Sequence, residues 1–480
     1  MFIQIHMLQS MPPGNLNRDE TGHPKKCVFG GVTRGRISSQ CLKRNIRRSA
    51  QFAETFGDAL ADRTTYLPRM VADEVSKDTT LGIPMEDVDA LMATIASRFK
   101  KEKGWEESDE TEEENASAIN ANASAGNGAS QTGQLVFFPP PFARRIAELV
   151  AKFRKEKPAA YHLFVTGEVN ETAERKAQRK AKRNELKERK KAINAEKKTA
   201  TTDDERATIR EKEDRLKKDE QQFKTECQYT MEALKKEIDV LVADIAEASK
   251  SLTVDIGLFG RMTTSDLVIN VDAACQVAHA ISTHETMIES DYFTAMDDRK
   301  SVYASTQTEK TGAAFLGSGE TETYFNSAVY YKYINLDIDA IRKHLPALSG
   351  KDAARVAGAL LSAAALANPT GKQNSFASHG IPELILVEVS EVKRPISYAN
   401  AFLQPVEGGT GRNLMTESAK ALCWYIDSVA VAFAPADVRR LLLAVGPASV
   451  EFKSSHKSAE TFDNLVQSLV AVAEKGEAGA

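Results

Sequence analysis

Hydrophobic and polar positions alternate at the start of the chain. In FIQIHML, residues 2–8, Ile3, Ile5 and Met7 fall on one face, which predicts a strand. A Pro-Pro-Gly turn follows. From Ser38 to near Phe52 the period becomes helical, over about three to four turns. Leu42, Ile46 and Ala50 share the face that would pack on a sheet. Residues 53–252 read as mostly helical and polar, around a low-complexity piece, EESDETEEENASAINANASAGNGASQTG, that suits a mobile surface loop. QLVFF predicts a short strand, and after its proline stop a helix begins. AERKAQRKAKRNELKERKKAINAEKK and the stretch from TTDDE to about Ile245 predict an antiparallel helical hairpin, with TTDDE turning the chain.

The globular pattern returns at Thr253. TVDIGLF predicts a strand and DAACQVAHAISTH a helix. The stretch from Glu285 to Thr323 has no clear period. YFNSAVYYKYINLDI predicts a strand, KDAARVAGALLSAAALAN a helix and ELILVEVSEV a strand, with two helices near 415–434 and 457–475. Without the insertions the order is β-α, β, β-α-β. That order fits an α+β chain built on a ferredoxin-like sheet with helices on one face. No solenoid period is present.

Composition narrows the class. The 480 residues are 42% hydrophobic and 27% charged, as in a soluble folded protein. No run of about 18 apolar residues predicts a membrane span, and MFIQIHMLQSMPPG lacks the layout of a secretory signal. Cys27, Cys41, Cys227, Cys275 and Cys423 are scattered without a CxxC pair, which predicts reduced thiols in cytoplasm and no zinc site. HExxH, GxSxG and P-loop patterns are absent.

The formal charge is −4, yet no acid lies between Glu20 and Glu54. Lys25, Lys26, Arg34, Arg36, Lys43, Arg44, Arg47 and Arg48 crowd that interval. On a helix, Gln40, Lys43, Arg44 and Arg47 share one face. Ser38 or Ser39 caps a first turn whose free N–H groups attract anions. Gly30 and Gly31 would let the backbone approach a ligand. A solvated basic face is the bland alternative; the one-sided excess favours polyanion binding.

LNRDETG…FGG…RGRISSQCLKR resembles the N-terminal signature of CasC, the backbone subunit of type I-E CRISPR Cascade complexes. DIGLFGRMTTSD, VAHAISTHE…SDYFTAMDD with YYKYINLDID, GKQNSFA and SYANAF resemble later blocks in the same order. The resemblance implies an RNA-recognition-like palm (1–52, 253–284 and 324–480, the last with C-terminal helices), a helical fingers insertion (53–252) and a long thumb loop (285–323). It implies copies stacked along CRISPR RNA, one base per copy displaced, and the guide left open to pair with target DNA. Other Cascade subunits would be partners: those that bind the guide's ends, the guide-processing endoribonuclease, and the large and small subunits. No cofactor and no membrane are implied. Matching guide-contacting positions are Ser38, Gln40, Lys43, Arg44 and Arg47, with Arg18 and Lys25 in the preceding loop. Met262 matches a wedge near the displaced base, Phe293 a thumb position, and Lys372 and Gln373 a C-terminal guide-side loop. The bland readings are core packing for Met262, thumb anchoring for Phe293, a local ion pair for Arg18 and a polar turn for GKQNS. The charged hairpin departs from compact members of the family, and its Arg175–Lys198 run reads either as a DNA contact or as a solvated coiled-coil stem.

Two other functions fit the residues. One is a metal-dependent ribonuclease with Asp19 and Glu20 holding magnesium. The other is a structural protein that assembles through its helical insert.

Overall fold

The structure is a computed structural model that describes residues 1–57, 60–99, 131–168, 173–199, 203–292, 322–433 and 438–475. In chain order its strands are β1 (Phe2–Gly14), β2 (Lys26–Phe29), β3 (Val32–Ile37), β4 (Asp62–Thr64), β5 (Val136–Phe138), β6 (Cys275–Val277), β7 (Ala280–Ser282), β8 (Glu289–Tyr292), β9 (Glu322–Asp337), β10 (Pro382–Ser390), β11 (Arg439–Ala444) and β12 (Lys457–Ser458). The chain divides into two compact units. The first takes Met1–Leu60, Thr253–Gly260 and Asp272–Ala480; the second takes Ala61–Leu252 and Arg261–Val271.

The first unit holds one large sheet, ordered β12-β11-β10-β1-β9-β7-β3-β2, with β6 and β8 also paired to β9. β1 runs antiparallel between β10 and β9, with Ile5 opposite Val387 and Ile334. Its alternation is real, but both faces are buried. Ile3, Ile5 and Met7 line one face. Lys332, opposite Met7, donates to the Ala364 carbonyl at 3.3 Å, which places the alanine-rich Gly350–Leu366 helix there. Leu8 lies on the other face with Tyr331, Leu386, Phe402 and the Leu414–Phe433 helix. Helices on a single face were expected. Gln4 and His6, on that other face, are buried in hydrogen bonds, to Tyr333 and Tyr331. His6 also lies beside Glu388, which accepts from Tyr398 and Arg440. Hydrogen bonds of this kind make a buried polar face tolerable.

Three local expectations fail. TVDIGLF forms a helix, Val254–Phe259, not a strand. DAACQVAHAISTH forms β6 and β7, not a helix. Both strands hydrogen-bond to β9 and bury Cys275, Val277, Ala280 and Ser282 at every second position, so pairing overrides alanine's helix preference. The helix expected over Ser38–Phe52 is two, Ser39–Arg47 and Ala50–Phe56. Ser49 turns extended and caps the second, its hydroxyl accepting from the Phe52 N–H at 3.2 Å.

The second unit packs the helices Leu67–Lys77, Met85–Ser97, Phe142–Glu156 and Pro158–Thr166 around Phe99, Phe138, Ile146 and Val150. A two-stranded sheet, β4 with β5, sits beside them. The hairpin expected from the sequence is present as Ala173–Thr199 and Asp203–Ala248. The base of its second arm enters the core through Ile238, Leu241, Val242 and Ile245. Farther out, Leu186 and Ile193 meet Ile209 and Leu216, each pair one heptad apart, as in a two-stranded coiled coil. Most of the acidic low-complexity piece and most of the 285–323 stretch lie outside the described residues.

Candidate nucleic-acid interface

The basic interval folds as a glycine-turned hairpin feeding a helix. Gly30 and Gly31 join β2 to β3 with φ of +64° and +82°, the left-handed pair such a turn demands. A Cβ on Gly30 would meet the Leu403 carbonyl oxygen at 1.7 Å. This glycine therefore serves the turn and a packing contact rather than the approach of a ligand, which corrects that expectation for Gly30, while Gly31 has open space beside it. β3 then delivers Ser38 as cap of the Ser39–Arg47 helix. Its hydroxyl accepts from the Cys41 N–H, and its own N–H donates to Asn17 Oδ1 at 2.8 Å. Leu42 and Ile46 bury against the unit as expected.

The cations of this interval divide into two kinds. Arg34 is wholly buried, and its guanidinium donates to the carbonyls of Phe29, Ser282 and Phe402 at 3.1, 3.1 and 2.7 Å. It fastens β3 to the sheet and does not extend a surface patch. Arg47 is held by Asp255, Nε to Oδ2 2.8 Å, with the carboxylate at 0% exposure. The helix at Val254 presents that carboxylate, so Arg47 is tied into the fold.

The others, with the uncharged Gln40 beside them, have no carboxylate partner among the described residues, the exposed Lys26 and Arg48 included. Arg18 is exposed on the loop that crosses back at Pro24. Lys25 is half-buried, its backbone bonded to Asn17 and Arg36. Lys43 lies over the Phe259 ring at 5.8 Å, and Gln40 and Arg44 are exposed. Arg36 is half-buried, with its Nε shielded from solvent and without a hydrogen-bond partner. His279 was not foreseen. It leaves the sheet between β6 and β7, next to the helix start, and its Nδ1 accepts from the Ser39 N–H at 3.3 Å. Burial, then the charges of Arg36 and Lys25, lower its pKa below the usual imidazole value. Only strand pairing brings it here, so no local spacing could have signalled it.

The 369–379 loop reaches the same region. Gly371 packs so closely on the Asn15 and Leu16 carbonyls that a Cβ would sit 2.7 and 2.6 Å from their oxygens. Lys372, with φ +51°, is exposed, and Gln373 donates to the Pro369 and Ser378 carbonyls at 2.9 and 3.0 Å. Met262 belongs to the second unit and is 92% exposed, which excludes core packing. The neighbouring Arg261, donating to Ile269, Phe137 and Ser249 carbonyls, pins its backbone. Phe293 lies outside the described residues.

Asp19 builds its own loop. Its Oδ1 accepts from the Thr21 N–H and hydroxyl and from the His23 N–H, and the Thr21 hydrogen bond leads in drawing its pKa down. His23 stacks on Tyr324 at 3.8 Å. Among the described residues no three His, Cys, Asp or Glu side chains group as a metal site, and no helix is long and apolar enough to cross a membrane. Cys27, Cys41, Cys275 and Cys423 are free thiols.

Residues 3–468 match the family described as CT1975-like protein. One similar solved structure is titled "CRISPR RNA-guided surveillance complex, pre-nicking", with TM-score 0.64 and 23% identity over 98% of this chain and 100% of that one. Another, "CRISPR RNA-guided surveillance complex", has TM-score 0.58 and 19% identity over the same shares. No curated protein matches the chain. At these identities the structural likeness establishes the fold, an α+β RNA-recognition-like palm with helical insertions.

Proposed function

The chain belongs to the CT1975-like protein family, and on that premise we propose that it is a non-catalytic CRISPR RNA-binding backbone subunit of a Cascade-type surveillance complex, of the type I-E CasC kind. The observation that carries this reading is the set of cations on the palm without carboxylate partners among the described residues: Arg18, Lys25, Arg36, Lys43 and Arg44. Cations left unpaired beside a capped helix start suit a phosphate backbone, which releases its counterions on binding.

In this reading several copies line up along one guide. The Ser39–Arg47 helix and the loop carrying Arg18 and Lys25 grip phosphates whatever the bases, and Lys372 extends the grip. Met262, exposed on a pinned backbone, is the wedge beside a displaced base, with Phe293 as its thumb counterpart. Sequence reading is left to pairing between guide and target DNA. The remaining Cascade subunits bind the ends of the assembly and its flank, in cytoplasm. The turn that engages Asp19 is one reason to prefer a scaffold over a ribonuclease.

The test is to produce the chain with a matching CRISPR array and its companion subunits, purify the complex and extract its nucleic acid. RNA of uniform length carrying spacer sequence is the expected result. A well-folded complex without RNA contradicts the proposal, and RNA cleavage lost on Asp19→Ala with Glu20→Ala contradicts its non-catalytic part.

A further inference from the structure

Three elements meet at His279. β3 brings Arg36, the preceding loop brings Lys25 through the hydrogen bond from the Arg36 N–H to the Lys25 carbonyl (2.9 Å), and the helix start brings the Ser39 N–H. Arg36 and His279 flank the point where Ile37 of β3 pairs with Ala280 of β7. Resting on the function proposed above, we propose that His279 is a further RNA-contacting residue, a neutral imidazole that donates its Nε2–H to a phosphodiester oxygen held by Lys25 and Arg36.

The tautomer follows from the geometry. The Ser39 N–H can only donate, so Nδ1 must keep its lone pair and the ring proton resides on Nε2. Protonating Nδ1 would set two donors against each other. The charged groups that act on the ring are Arg36 from the strand side and Lys25 from the loop side, both cations, and both oppose a third positive charge. Arg36 is half-buried, so part of its side chain remains open to a phosphate oxygen. A neutral donor adds direction to this cationic site without adding repulsion. A metal is the less apt occupant, because two cations flank the ring and no third ligand of suitable type groups there among the described residues.

The experiment uses the full chain and fluorescently labelled single-stranded RNA of two unrelated sequences. His279→Ala should weaken binding about fivefold for both, the order of one neutral hydrogen bond. Its salt slope should stay unchanged, because no counterion-releasing charge is lost, whereas Lys25→Gln should flatten the slope by about 0.7. His279→Gln, whose amide carries a donor at the Nε2 position, should recover most of the affinity. The ratio between unmodified protein and His279→Ala should stay flat from about pH 6 to about pH 8. Equal affinity of His279→Ala and unmodified protein would overturn the assignment. So would a ratio climbing as pH falls, the mark of a charged imidazole, or a His279→Gln variant as weak as alanine. If the unmodified chain binds no RNA, the proposed function fails first and this contact falls with it.

Discussion

The palm surface and the helical hairpin are both rich in Lys and Arg, and they use them in opposite ways. In the hairpin the cations of one arm meet carboxylates of the other: Arg189 with Asp219 at 2.9 Å, Lys197 with Glu213 and Lys212 with Glu196 at 2.7 Å. On the palm, Arg18, Lys25, Lys43 and Arg44 have no acid opposite them among the described residues, though the chain as a whole carries more acid than base. A basic run is therefore informative only once its partners are known. Self-neutralised cations are used up within a stem, and the stranded ones are those that the proposed function assigns to an anion outside the chain. Arg34 and Arg47 add a third case, basic residues of the interface sequence absorbed by the fold.

The largest effect should come from that third case. Arg47→Ala leaves the buried Asp255 without its guanidinium and should cost about 3–5 kcal/mol of stability, measured by chemical denaturation. If instead stability holds and only RNA affinity falls, Arg47 belongs with the grip. Lys332 tests the same distinction inside the core. It is fully buried with one backbone acceptor, and burial pulls its pKa down from 10.5 to about 8. The folded state thus binds its proton less tightly than the unfolded chain. The penalty is complete below about pH 8 and is relieved as pH rises toward 10.5. Lys332→Met should stabilise the protein by about 3 kcal/mol at pH 7, and the gain should shrink through that window. A gain independent of pH would show that packing is responsible.

Next in size is the surface itself. Lys43→Gln with Arg44→Gln should weaken RNA binding about tenfold and flatten the salt slope by about 1.4, equally for unrelated sequences. Leu42 and Ile46 remain in place, so the thermal midpoint should barely move. Excising residues 183–225 and closing the gap with a short flexible linker should have the smallest effect, leaving RNA affinity within about twofold. The excision stops short of Ile238, because Ile238, Leu241 and Ile245 belong to the core of the second unit. Dispersed monomers or lost RNA binding in that variant would mean that the hairpin, not the palm, drives assembly.

The sequence disclosed the fold wherever burial repeats locally. β1, the long β9 and the alanine-rich helix each carry a period that survives in the structure. It misled where a distant partner decides. β6 and β7 look like one alanine-rich helix until β9 pairs with them. Arg34 and Arg36 are two residues apart on one strand, yet only Arg34 is enclosed, by carbonyls 248 and 368 positions away. The helix spacing foretold Lys43 and Arg44 on the surface but could not tell that Arg47, on the same stripe, meets Asp255, 208 residues on. His279 enters the site through strand pairing alone.

On the proposed function, stranded palm cations, not the hairpin's paired ones, hold RNA. This is tested most directly by measuring affinity against salt, side by side, for the unmodified chain, Lys43→Gln with Arg44→Gln, and the hairpin-excised chain. A flattened slope for the palm variant and an unchanged slope for the excised chain are expected. The reverse outcome, a flattened slope on excision and none on neutralising Lys43 and Arg44, would contradict the proposal.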